Sequence, residues 1–219
     1  MLLFSWLPAD PDAADALVPA GLRAAPGHPV FMNQYVVDDD SQTCGFGAYS
    51  LTYLGITLAG MEAPDGATPG GWWTHYLNSS PRVRQYAAAL GAPAAPGHTT
   101  LEVRRESLVA VTEVDGAPLI RTRARVGHTG HAIRSGQHRY LTSRDGQLLS
   151  GIYPYIAEPV DPFEIESVEF LNTAHPTYAL RPTNPLMILW GWHSPRASFA
   201  YPGGDKVRGK PALAHSSRR

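Results

Sequence analysis

The chain has 219 residues, with 18 basic and 19 acidic side chains and a net charge of −1. That length suits one large domain or two small ones with a substantial core, and the charge balance excludes a general electrostatic pull toward nucleic acid or membrane. The single cysteine, Cys44, excludes an internal disulfide framework and a cysteine-based zinc site.

The opening MLLFSWLPADP is apolar for only a few residues and lacks a basic leader, which argues against a signal peptide. No run of about 18 apolar residues occurs, so no membrane span is predicted, and the expectation is a soluble, cytoplasmic protein. Asp10 followed by Pro11 reads as a helix start, and the helix runs through DAADAL until Pro19 and Gly21 stop it. PVFMNQYVV (29–37) reads as a strand and DDDSQTCGFG as a loop. AYSLTYLGITLAG (48–60) is a long strand with Tyr49, Leu51 and Tyr53 on one face, and GWWTHYLN (71–78) is another. Ser80 and Pro81 restart a helix that Gly91 ends.

TTLEVRR, SLVAVTEV and PLIRTRARV follow as strands, with Asp115-Gly116 as a hairpin turn between the last two. QHRYLTS and QLLSGIYPYIA flank a second such turn at Asp145-Gly146. EIESVEFLNT, PLMILWGW and ASFAYP close the structured part, and residues 203–219 read as a polar, breaker-rich, mobile tail. The expectation is a single domain over 1–202. Its class is mainly β (α+β), an antiparallel barrel or sandwich with two short helices.

Three segments, in this order and spacing, resemble the acetoacetate decarboxylase-like superfamily. They are DPDAADALVPAGLRAAPGHPVFMNQYVV, then GFGAYSLTYLGITL with GGWWTHYLN, then the closing MILWGWHSPRASFAY. The resemblance implies a largely β cone or double barrel with an internal pocket, and homo-oligomerisation. It also implies a catalytic lysine after the tyrosine-leucine strand, forming an imine with a β-keto acid. Such a lysine must be a neutral primary amine. The matching positions, Ala88–Pro93, contain none, and the chain's lysines are Lys206 and Lys210, both in the expected tail. Two carboxylates accompany that lysine in the family; their nearest matches are Gln34 (or Asn33) and Leu51. The resemblance therefore implies a divergent member without the Schiff-base machinery.

Other side chains are candidates for the chemistry. On strand 71–78 either Trp73 and His75, or Trp72, Thr74 and Tyr76, face the pocket. His75 is a candidate proton shuttle, against ordinary aromatic packing. Tyr49 and Tyr53 share a face with Leu51 and are candidates to hydrogen-bond a carbonyl or enol oxygen, and Gln34 is a neutral group able to orient one. His98 opens the strand after the lysine-less segment. Arg121, Arg123 and Arg125 alternate on one face, where either a bound carboxylate or plain solvent is their partner. GHTGH (127–131) with His138 invites a metal reading, but the glycines place the pair in a loop and no acidic ligand is near, so no metal is expected. The expected set is His75, Tyr53 and Gln34 as catalytic groups, with Asn33, Tyr49, Leu51, Trp73, His98 and Arg125 binding a small molecule, and no cofactor. The leading expectation is a lysine-independent enzyme cyclising or dehydrating a hydrophobic, oxygenated, polyketide-like metabolite. The alternatives are a non-catalytic binding protein and an atypical β-keto acid decarboxylase.

Overall fold

A computed structural model describes residues 1–130 and 132–207. Among the described residues fourteen strands run in chain order: β1 (Leu2–Trp6), β2 (Val30–Val37), β3 (Tyr49–Thr57), β4 (Gly70–Asn78), β5 (Ala94–Pro96), β6 (His98–Arg104), β7 (Ser107–Val114), β8 (Ala117–Gly130), β9 (Arg134–Arg144), β10 (Gln147–Ala157), β11 (Val160–Phe170), β12 (Ile188–His193), β13 (Ala197–Phe199) and β14 (Gly204–Lys206). Helix α1 (Pro11–Asp15) is capped by the Asp10 carboxylate, which accepts from the Ala13 amide at 3.0 Å. Helix α2 (Pro81–Ala89) starts at Ser80, and Gly91 leaves it at φ +80°.

Ten strands form one curled sheet in the order β12-β1-β2-β3-β4-β9-β10-β13, with β14 pairing β10 and β5 pairing β4. Four more form a second sheet, β11-β8-β7-β6. Most pairs are antiparallel; the join of β4 to β9 and the β4–β5 pair are parallel. The two hairpin turns read from the sequence hold: Asp115-Gly116 and Asp145-Gly146 have positive φ at both positions, the geometry that closes a two-residue turn with the twist of its strands. One boundary differs from expectation. Gly204–Lys206 is not free tail but pairs with Leu149–Gly151 of β10. The expected tail residues 208–219, Lys210 among them, and His131 lie outside the described residues.

Period-two alternation gives the large sheet two different faces. One carries Leu2, Phe4, Trp6, Val30, Met32, Leu54 and Ile56 and packs on Leu108, Ala110, Ile120, Ala124 and Val126 of the small sheet. Each of these larger side chains, withdrawn from water, contributes about 1.5–3 kcal/mol. The other face curls round a cluster dominated by rings: Tyr35, Tyr53, Trp73, Tyr76, Tyr140 and Tyr153. Neighbouring strands make room for these rings with glycine. A Cβ on Gly136 would meet the Tyr155 ring, and one on Gly151 would meet that of Tyr140.

Candidate active site

The curled face encloses a cavity of about 600 Å³, within the size range of small-molecule sites. Trp73 forms its centre: it stacks on Tyr140 at 4.6 Å and on Tyr53 at 4.9 Å. A second stack lines the same cavity, with Tyr155 lying on His138 at 5.0 Å and on Trp192 at 5.6 Å. Trp192 belongs to the terminal strand β12 and Tyr155 to β10, the last strand but one at the other end, so this contact joins distant strands of the large sheet. The loop residues Ala67, Thr68 and Pro69 and the partly exposed Leu189 and Trp190 complete the wall.

The polar groups of the cavity are few. Tyr53 is buried, and its hydroxyl accepts a hydrogen bond from Asn33 Nδ2 at 3.1 Å. That bond leaves the phenolic proton free to be donated elsewhere. Burial pushes the Tyr53 phenol above its ordinary value despite the opposing Asn33 bond, so the group is neutral. His138 is the titratable imidazole of the cavity wall. Burial lowers its pKa to about 4, partly opposed by the charge of Asp65, and its buried Nε2 has no hydrogen-bond partner among the described residues. Arg139 also borders the cavity, but its guanidinium is engaged by Ser150 Oγ at 2.8 Å and the Glu62 carbonyl at 3.0 Å. No lysine, aspartate or glutamate is among the described lining residues.

The residues expected from the sequence are distributed as follows. Tyr53 and Trp73 line the cavity, and Asn33 stands behind Tyr53. Leu51 is buried within the ring cluster, and the partly buried Tyr49 packs against it, edge-on to Tyr35 at 5.9 Å. Gln34 is not at the cavity. It points between the sheets, donating to Thr112 at 3.0 Å and accepting from Thr122 at 2.8 Å, because it shares the opposite face of β2 with Met32. His75 is also on the wrong face. A β-bulge leaves Thr74 out of register, so Trp73 opposite Gly55 and Tyr76 opposite Tyr53 share the cavity side, while His75 lies opposite Leu54. There it meets Thr74 Oγ1 at 3.1 Å and His175 at 6.1 Å, and burial, then the charge of His175, lowers its pKa to about 4. His98 is exposed on β6 opposite Glu113, and Arg125 pairs with Glu164 on the outer face of the small sheet. Neither reaches the cavity.

Segment 88–93, where the resemblance places an imine-forming lysine, contributes Ala92 to the ring cluster, beside Ala87 at the end of α2. Among the described residues, no group of three or more acidic, histidine or cysteine side chains could hold a metal ion.

Tyr140, Tyr153 and Tyr155 are absent from the expected site set, and His138 enters the sequence reading only as a metal ligand weighed and set aside, yet the sequence carries their signal. A two-residue turn at 145–146 sets Arg144 opposite Gln147. Counting outward from it puts His138 opposite Tyr153 and Gly136 opposite Tyr155, which is the observed register.

Neither a family model nor a curated protein matches the chain by sequence. Solved structures do match in fold. Acetoacetate decarboxylase from Legionella pneumophila superposes with a TM-score of 0.65 at 15% identity, over 95% of this chain and 84% of that one. The enduracididine biosynthesis enzyme MppR, complexed with pyruvate, gives 0.58 at 13% identity, over 97% and 87%. An acetoacetate decarboxylase-like enzyme from Sphingomonas wittichii RW1 gives 0.53 at 16%, over 94% and 90%. The chain has the acetoacetate decarboxylase-like fold.

Proposed function

We propose that this chain is a lysine-independent enzyme whose cavity folds up a hydrophobic, oxygenated small molecule and promotes its cyclisation or dehydration. The observation that carries this reading is the cavity itself: ring-lined walls, a neutral tyrosine hydroxyl held by an amide, one neutral imidazole, and no amine or carboxylate side chain among its described lining residues. Enclosure by stacked rings supplies orientation and removes water. Tyr53 hydrogen-bonds its free proton to a carbonyl oxygen, which makes the carbonyl carbon more electrophilic. His138 accepts a hydrogen bond from an enolic hydroxyl of the same molecule and takes its proton as the enol carbon attacks that carbonyl carbon, so the enol O–H breaks as the carbon–carbon bond forms. The resulting alkoxide takes the Tyr53 proton, the His138 proton returns to the phenolate, and loss of water follows where the product becomes conjugated. An imine route lacks its nucleophile here, which sets this reading apart from that of a β-keto acid decarboxylase. The reading also takes the chain as a homo-oligomer in the cytoplasm, with no cofactor.

Native mass spectrometry of the protein after exposure to a metabolite extract of its source organism tests this. The expected result is a bound species absent from the input, with a precursor of the same mass or one water heavier depleted. The Tyr53→Phe and His138→Gln variants should still bind the precursor while conversion drops about a hundredfold. A bound molecule identical to one in the input, with nothing converted, overturns the enzyme in favour of a binding protein. Release of carbon dioxide from a β-keto acid overturns it in favour of a decarboxylase.

A further inference from the structure

Resting on that reading of the cavity, we infer that its occupant is a planar, uncharged molecule bearing an enolic or phenolic hydroxyl, and that His138 is the residue that reads this hydroxyl. Three independent features lead there. The first is shape. Trp73 stacked on Tyr140 and Tyr155 stacked on His138 and Trp192 give the cavity flat walls, and flat conjugated molecules match ring faces best.

The second is charge. The described lining residues offer no amine, and Arg139 is turned to Ser150 and the Glu62 carbonyl. A carboxylate entering such a site loses its hydration, and the one cation on the described wall, Arg139, already commits its Nε and Nη1 to Ser150 and the Glu62 carbonyl. Keto acids and other anionic substrates are thereby disfavoured, which separates this site from one built to seat a carboxylate.

The third is the orphaned nitrogen. Buried imidazole nitrogens are normally hydrogen-bonded, and His138 Nε2 has no partner among the described residues. A neutral imidazole can accept one hydrogen bond. An enolic or phenolic O–H supplies it. An apolar ring without such a hydroxyl would fill the cavity and leave Nε2 unsatisfied.

Three probes of the same ring size separate these features: naphthalene, 2-naphthol and 2-naphthoate, titrated into the protein by isothermal calorimetry at pH 7. The expected order is 2-naphthol tightest, naphthalene about tenfold weaker and 2-naphthoate about a hundredfold weaker than the naphthol. His138→Phe should keep naphthalene affinity within about twofold and reduce the naphthol advantage to about twofold or less. His138→Gln, which restores an acceptor, should recover part of it. Equal or tighter binding of 2-naphthoate overturns the inference. So does a naphthol advantage that survives His138→Phe, or saturable binding by none of the probes. The outcome is independent of turnover. The expected order with no conversion of any extract metabolite would uphold the ligand class and sink the enzyme, while conversion of a carboxylated precursor would do the reverse.

Discussion

His138 joins two properties that rarely coexist at a surface: a ring packed flat against Tyr155 and a nitrogen withheld from water. Burial lowers its pKa to about 4, and does the same to His75 and His193. An unfolded histidine titrates near 6.5, so between pH 6.5 and 4 the unfolded chain binds protons that the folded chain refuses. Stability is therefore complete above about pH 6.5 and is lost as pH falls through that window. Burial also lowers the pKa of His175 and of the Met1 amine, so urea midpoints should fall between pH 7 and 4.5. His138→Phe should make the accompanying proton uptake about one proton smaller, because it deletes one of the suppressed sites. An uptake unchanged by this substitution would mean that the imidazole is hydrated and titrates normally. Gln34 shows the opposite use of burial. Its amide is satisfied at both ends by Thr112 and Thr122, so it stiffens the inter-sheet layer and has no free group for chemistry.

At the level of the strand, the site depends on positions without side chains. Tyr155 and Tyr140 lie over Gly136 and Gly151 of the facing strand, where a Cβ would run into their rings. Gly136→Val should push Tyr155 off His138, cost about 1–3 kcal/mol of stability and weaken 2-naphthol binding. The same change at Gly130, whose Cβ position is open, should leave binding untouched. Thermal unfolding and the calorimetric titration read both effects; equal behaviour of the two variants would remove Tyr155 from the site. This also explains what the sequence could and could not disclose. Strand existence was legible because alternation and Asp-Gly turns are local signals, and they located β2, β3, β4, β9 and β10 within a few residues. The choice of face on β4 was not, because the bulge at Thr74 inserts one residue into the alternation and sends Trp73 and His75 to opposite sides. The parallel join of β4 to β9 lay outside local pattern altogether, since it pairs Gly71 with Tyr140 across nearly seventy residues. Without that join Trp73 and Tyr140 cannot be placed in one stack, and His138 stays a lone loop-side histidine.

For the molecule as a whole, the unexplained feature is the lip of the cavity. Met187, Leu189 and Trp190 remain 51%, 45% and 43% exposed at and just before β12, the terminal strand of the large sheet, and Leu189 and Trp190 also line the cavity. Exposed apolar clusters of this kind mark interaction surfaces, and a terminal strand offers unpaired backbone groups as well. If the chain is the homo-oligomer proposed above, a second copy is the partner this patch would meet. In a two-fold interface the same patch occurs on both subunits, so every substitution acts twice. Withdrawing Leu189 and Trp190 from water is worth about 1.5–3 kcal/mol apiece, and losing both from both subunits would weaken association by several powers of ten. Light scattering behind a sizing column should therefore show the native chain as a dimer or larger assembly at micromolar concentration, and Leu189→Lys with Trp190→Glu as a folded monomer. Because these residues also border the cavity, the monomeric variant should bind 2-naphthol more weakly, whereas a dilution-induced monomer of the native chain should lose less. A native chain that is monomeric at every concentration would assign the lip to ligand entry alone, with its exposed rings serving the molecule that passes between them.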